Sequence, residues 1–302
     1  MKTTPLKYRL NVIGGALIIF VCIRTYIPML AQQLGMRENF NVWIVVYMVT
    51  LALSCLVPIA FIEKMCDFHP KLFQKHTPSV TDGMLIANCM FIFILLAMAN
   101  SVVITLAGRF GIVFPPQKLE TIDNPLTFVL YFVFSAVIPA VFEELFIRGT
   151  VMNLLLPNGR RYAILASALI FTMMHTQVQS FIPVFGAGVV LACIYMYTGS
   201  IYLSMALHFV NNAYSFMMLY MQQRLTGISL VGFASYVMAV IIVFGMGSMM
   251  WLKKRNINIF SCLEKQGKEP KLAKFFACPV MLLGMVCCLM AILTQLYADL
   301  TM

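Results

Sequence analysis

Residues 126–156 read LTFVLYFVFSAVIPAVFEELFIRGTVMNLLL. The run is apolar enough to sit in lipid, yet it holds Glu143, Glu144 and Arg148 near its centre. At about 1.5 Å per residue it would extend about 45 Å as one helix, against a hydrocarbon core of about 30 Å. Such a segment must tilt, break or dip back into the bilayer.

Outward from it, further apolar runs recur near 12–30, 42–62, 84–106, 162–176, 181–197, 201–221, 229–252 and 275–296. The expected fold is an all-α polytopic transmembrane helical bundle of eight to nine spans, one membrane domain over 1–302 with a motif-bearing core at about 126–221. Composition agrees: 61% of the 302 residues are hydrophobic and 11% charged, against the roughly 25% charged of a soluble domain. That excludes an ordinary soluble enzyme. The first run lacks a small-residue cleavage site and is expected to stay as a spanning helix rather than leave as a signal peptide. The nine cysteines fall mostly inside apolar runs without a CxxC pair. They read as small buried hydrophobes, not as a disulfide framework or a thiolate metal cage.

The formal charge of +10 acquires a meaning from its distribution. With the N-terminus taken as cytoplasmic, Lys2, Lys7, Arg9, Lys64, Lys71, Lys75, Arg160, Arg161, Lys253, Lys254, Arg255, Lys265, Lys268, Lys271 and Lys274 fall inside. Only Arg37, Arg109, Lys118 and Arg224 fall outside, and Arg24 and Arg148 lie within spans. The asymmetry supports a cytoplasmic N-terminus and explains the positive charge without a nucleic-acid partner. The basic stretch 253–274 reads as a topology determinant, the alternative being contact with the anionic heads of membrane lipid.

Ionisable groups inside spans are costly unless paired or facing a cavity. Nine of the acids lie in loops or at helix ends, which leaves Glu143 and Glu144. Of the histidines, His175 and His208 lie in apolar runs. Glu144 and Arg148 are four apart and share a helical face, where a desolvated ion pair can form. Glu143 sits about 100° round the helix from Glu144, has no partner in its own helix, and is the candidate general base. His208 and Asn212 lie one turn apart, so that an imidazole and an amide can together hydrogen-bond a developing oxyanion. Either histidine alone can equally tie helices together as an interhelical hydrogen-bonding group.

In order and approximate separation, Glu143-Glu144-x-x-x-Arg148, Phe171-x-x-x-His175 and His208-x-x-x-Asn212 resemble the three motifs of the CAAX prenyl protease and bacteriocin-processing family of intramembrane endopeptidases. The flanks Arg148-Gly149 and Thr198-Gly199-Ser200-Ile201 resemble it too, and the likeness covers about 128–220. It implies a membrane-embedded endopeptidase whose cavity opens to the cytoplasmic side, cleaving a hydrophobic, lipidated or membrane-bound peptide. Peptide processing or bacteriocin self-immunity in a bacterial plasma membrane would be its setting. By the resemblance, Glu143 and His175 activate water, His208 and Asn212 stabilise the oxyanion, and Glu144 with Arg148 orients the first motif. The family is often described as metalloproteases. A divalent metal such as zinc would draw on His175, His208 and Glu143, but these lie on separate helices without the compact HExxH spacing, which favours a metal-independent reading. The alternative is a non-catalytic membrane protein, either a proton-coupled transporter using Glu143 and His175 or a scaffold. No second EExxxR segment marks a repeated half, which counts against transport.

Overall fold

Helix boundaries in the computed structural model fall where capping residues interrupt the apolar runs. The structure describes residues 5–69, 76–112, 114, 121–175, 177–265, 267 and 269–301. Lys2, Lys71, Lys75, Lys118, Glu120 and Lys268 lie outside the described residues. The helices are α1 (Leu6–Gln33), α2 (Phe40–Cys66), α3 (Val80–Arg109), α4 (Pro125–Asn158), α5 (Arg160–Met173), α6 (Phe181–Thr198), α7 (Ile201–Arg224), α8 (Gly227–Lys254) and α9 (Pro279–Thr301). Among the described residues there is no strand.

The caps show why the helices start where they do. Asn39 Oδ1 accepts from the backbone N–H of Asn41 and Val42 to open α2, and Ser79 and Asp82 form a reciprocal capping box on α3. Asn124 accepts from the N–H of Thr127, with Pro125 in the first turn of α4, where its missing N–H costs nothing. Gly199 ends α6 at φ 65°, a left-handed conformation that a side chain disfavours.

Seven of these helices, all but α5 and α7, are long and apolar enough to cross a membrane, and the chain is a multi-pass membrane protein. Each of the nine apolar runs falls on a helix, but α5 has only 14 residues and the apolar run of α7, itself one continuous helix, is interrupted by His208, Asn211 and Asn212. The run around Glu143 does not break. It stays helical from Pro125 to Asn158, with two π-helical stretches at Val133–Val137 and Leu145–Met152.

Successive helices alternate in direction, which gives the bundle two ends. At the first, the Tyr8 hydroxyl donates to Met65 O (2.9 Å) and Arg9 Nη1 to Leu154 O (3.0 Å). At the second, Thr127 Oγ1 donates to Asn41 Oδ1 (2.8 Å), Asn100 Nδ2 to Gln179 O (2.8 Å) and Arg224 Nη2 to Ile122 O (2.5 Å). Of the described basic residues, Lys7, Arg9, Lys64, Arg160, Arg161, Lys253, Lys254, Arg255, Lys265, Lys271 and Lys274 belong to the first end. Arg37, Arg109 and Arg224 belong to the second.

The outermost helices pack through small residues. Gly14 on α1 and Gly284 on α9 face each other so closely that a Cβ on Gly284 would stand 2.5 Å from the Gly14 carbonyl oxygen. In lipid such close approach substitutes for the absent hydrophobic drive. Gly284→Val is expected to cost about 1–3 kcal/mol of overpacking, read as a lowered Tm of the purified protein in detergent. An unchanged Tm would show that α1 and α9 do not meet there.

Candidate active site

Three elements converge on the centre of α4. Glu144 and Arg148 are both fully buried, and Arg148 Nη1 donates to Glu144 Oε1 at 2.8 Å, the pair expected from their spacing. Two buried unit charges are tolerable only when most of their remaining hydrogen-bonding capacity is also met, and here Arg148 Nε alone of the two side chains' polar atoms has no partner. Arg148 Nη2 donates to Gly188 O on α6 at 2.9 Å, and the guanidinium lies over the Phe171 ring of α5 at 4.6 Å. The Gly188 carbonyl is reachable because α6 runs close to α5: a Cβ on Gly188 would stand 3.1 Å from Ala168 Cα.

Glu144 is satisfied from α7. Ser204 Oγ donates to Glu144 Oε2, and His208 Nδ1 lies 2.9 Å from Glu144 Oε1. An ionised carboxylate only accepts, so the His208 proton in this bond sits on Nδ1. The sequence expectation gave Glu144 a single partner, Arg148; the structure adds Ser204 and His208. Ser204 was missed, although its place one turn before His208 on the same helical face was available as a signal.

Glu143 points the other way, as its angular offset from Glu144 predicts. It is 8% exposed and lines a cavity of about 330 Å³ together with Arg24, Tyr131, His175, Gln177 and Asn212. A neighbouring cavity of about 350 Å³ is lined by His175, His208 and Asn212. Glu143 Oε2 stands 3.9 Å from His208 Nε2, too far for a direct hydrogen bond. His175 lies just past the end of α5, and its Nδ1 is 2.8 Å from Phe171 O, a carbonyl that can only accept. Both imidazoles therefore hold a proton on Nδ1 and leave Nε2 for other work. The Phe171 ring meets the edges of both, at 4.6 Å from His175 and 5.8 Å from His208, and so spaces them. Arg24, read from sequence only as a charge within the first span, turns out to be part of the cavity wall.

The structure thus brings Glu143, His175, His208 and Asn212 to two adjoining cavities and keeps Glu144 and Arg148 behind them. It does not gather Glu143, His175 and His208 into a metal site: among the described residues no three His, Cys, Asp or Glu side chains form a group that could hold an ion.

The cavity also has a direction. Tyr131 lies near the start of α4, Ser215 and Leu219 lie toward the end of α7, and Gln177 follows α5, all on the second end of the bundle. A cytoplasmic N-terminus and a cytoplasmic cavity mouth were both expected, but the fold places the start of α1 and the residues that line the outer part of the cavity at opposite ends.

The carboxylate and imidazoles around a buried cavity give this helical bundle a polar intramembrane site. The comparison with known families makes this more specific: residues 125–214 match the model described as Rce1-like, type II CAAX prenyl endopeptidase. That segment carries all three motifs, and over it the chain is similar to the CAAX prenyl endopeptidase family. No curated protein and no solved structure matches the chain.

Removing one partner of the buried pair tests its structural role. Glu144→Ala leaves the Arg148 guanidinium without its counter-charge and is expected to cost about 3–5 kcal/mol. Ser204→Ala removes one hydrogen bond to a charged group and is expected to cost about 1.5–3 kcal/mol. Thermal unfolding in detergent should therefore rank wild type above Ser204→Ala above Glu144→Ala; Glu144→Ala unfolding at the wild-type temperature would contradict the pair's role.

Proposed function

We propose that this protein is an intramembrane endopeptidase that hydrolyses a peptide bond of a hydrophobic or membrane-associated substrate. The observation that carries the reading is Glu143 on a cavity wall with His175 and Asn212, its neighbour Glu144 being fully engaged elsewhere. One carboxylate is left for chemistry while the other holds the site together.

Glu143 takes a proton from a water molecule as the water oxygen attacks the substrate carbonyl carbon. His175 Nε2, with its ring fixed by the bond from Nδ1 to Phe171 O, accepts the water's other hydrogen and orients it. The tetrahedral oxyanion receives hydrogen bonds from the Asn212 side-chain amide and from His208 Nε2. The latter requires His208 as imidazolium, because its Nδ1 proton is already given to Glu144. A protonated His208 between Glu143 and Glu144, with Arg148 behind, makes the cluster's formal charge zero. Glu143 then delivers its proton to the leaving amine and returns to carboxylate.

No step of this scheme passes through a metal. Purified protein, in detergent and treated with a chelator until metal analysis shows none bound, is expected to cleave a panel of lipidated and hydrophobic peptides. Glu143→Gln should lower the rate by about 10²–10⁴-fold, and Asn212→Ala by about 10²–10³-fold, both with near wild-type Tm. Cleavage that survives Glu143→Gln and His175→Ala would overturn the mechanism, and activity that tracks metal content would reassign the water to a metal.

A further inference from the structure

The distribution of charge and the direction of the cavity, taken together, identify the substrate's side of the membrane. The described basic residues crowd the first end of the bundle, including Arg160 and Arg161 directly after α4 and the Lys253 to Lys274 stretch after α8. Loops rich in Lys and Arg are retained in the cytoplasm, and a bias carried by several short loops sets orientation more firmly than any one of them. The first end is therefore the cytoplasmic one.

The active-site cavity opens at the other end. On α7, Leu219 lies about 8 Å by helical rise from Arg224 but about 27 Å from Ile201, and on α4 Tyr131 lies about 9 Å from Pro125. Glu143, midway along α4, forms the floor. From there toward the basic end α4 is sealed: Phe146, Ile147, Arg148, Val151, Met152 and Leu155 are each 0% exposed. No lining residue of either cavity comes from the loops of the basic end. A chain arriving from the cytoplasm would have to cross that packed layer, and with it the Glu144–Arg148 pair, to reach the Glu143 carboxylate.

We infer that the cavity admits its substrate from the non-cytoplasmic side, so that the substrate class is the hydrophobic segment of an exported or outward-facing membrane chain and not a lipidated cytoplasmic protein. The inference rests on the endopeptidase reading for the word substrate, but its geometric content does not. Around the mouth, Tyr131, Ser135, Gln177 and Ser215 stand beside Phe134, Phe216 and Leu219, a mixed polar and apolar lining that suits a hydrophobic extended peptide entering between water and lipid. The 330 Å³ of the cavity suits a few side chains, not a folded domain.

Membrane-impermeant maleimide labelling of cells expressing the full chain tests this directly. Arg37→Cys and Gln177→Cys, at the mouth end, are expected to label in intact cells above the background of the native cysteines. Lys271→Cys, at the basic end, is expected to label only after permeabilisation. Green fluorescent protein, which fluoresces when cytoplasmic, is fused ahead of residue 1 as a second reading that does not depend on any substitution, and is expected to fluoresce. Labelling of Lys271→Cys in intact cells, labelling at both ends, or a dark fusion overturns the inference. Peptide hydrolysis in detergent, where both faces are open, succeeds or fails independently of these results and so separates the orientation from the chemistry.

Discussion

A carboxylate and a guanidinium withdrawn completely from water must neutralise each other, and the rest of this site is arranged around that requirement. Glu144 and Arg148 satisfy it along one helix at 2.8 Å, but each has hydrogen-bonding capacity left over. Gly188 of α6 takes the second guanidinium nitrogen, and Ser204 and His208 of α7 take what remains of the carboxylate. A pair that would destabilise the bundle if left half-satisfied therefore becomes the joint that holds α4, α6 and α7 in register. Glu143 is placed by the same joint. Adjacent to Glu144 on a rigid helix, it must face the opposite way, and that direction is the cavity.

The parts of this arrangement that were legible in the sequence are those set by spacing along one helix. Glu144 with Arg148 and His208 with Asn212 are separated by one turn, and the angular offset of Glu143 follows from helical geometry alone. The apolar runs marked all nine helices, and the positions of His175 and His208 in such runs singled them out. What was not legible depends on which helices touch. The bond from His208 Nδ1 to Glu144 crosses 64 residues of sequence and commits the ring to one tautomer, a constraint that no local pattern encodes. In the sequence Phe171 is a motif residue without a role, whereas its ring lies under Arg148 and against both imidazoles. The π-helical turns of α4 were equally hidden, because residue preferences separate them poorly from an ordinary α-helix.

Which end the cavity faces was not legible in the sequence for a different reason. Charge counting orients the helix ends, and motif likeness supplies a mouth, but only the three-dimensional course of α4 and α7 says which end the mouth belongs to. Once the helices alternate, the parity of the chain links every loop to one side. Glu143 lies near mid-depth, so its position alone does not choose a face. The choice is made by the residues above and below it: small openings beside Ser135 and Ser215 on one side, and the fully buried run through Phe146, Val151 and Leu155 on the other.

The two helices least suited to a membrane position three of the four residues of the candidate site, His175, His208 and Asn212, beside Glu143 of α4. α5 is only 14 residues long, about 21 Å, and so ends inside a hydrocarbon core of about 30 Å, leaving His175 at the depth where the cavity begins. α7 is long enough to cross but carries His208, Asn211 and Asn212 within one turn. Were either helix replaced by an ideal apolar span, the space beside Glu143 would fill with aliphatic side chains or lipid and no water would reach it. The surrounding helices, α1 to α3, α8 and α9, absorb that weakness by meeting the lipid requirement in full. A shell of ordinary spans around a short helix and a polar one is thus the physical condition for keeping a polar cavity inside a bilayer.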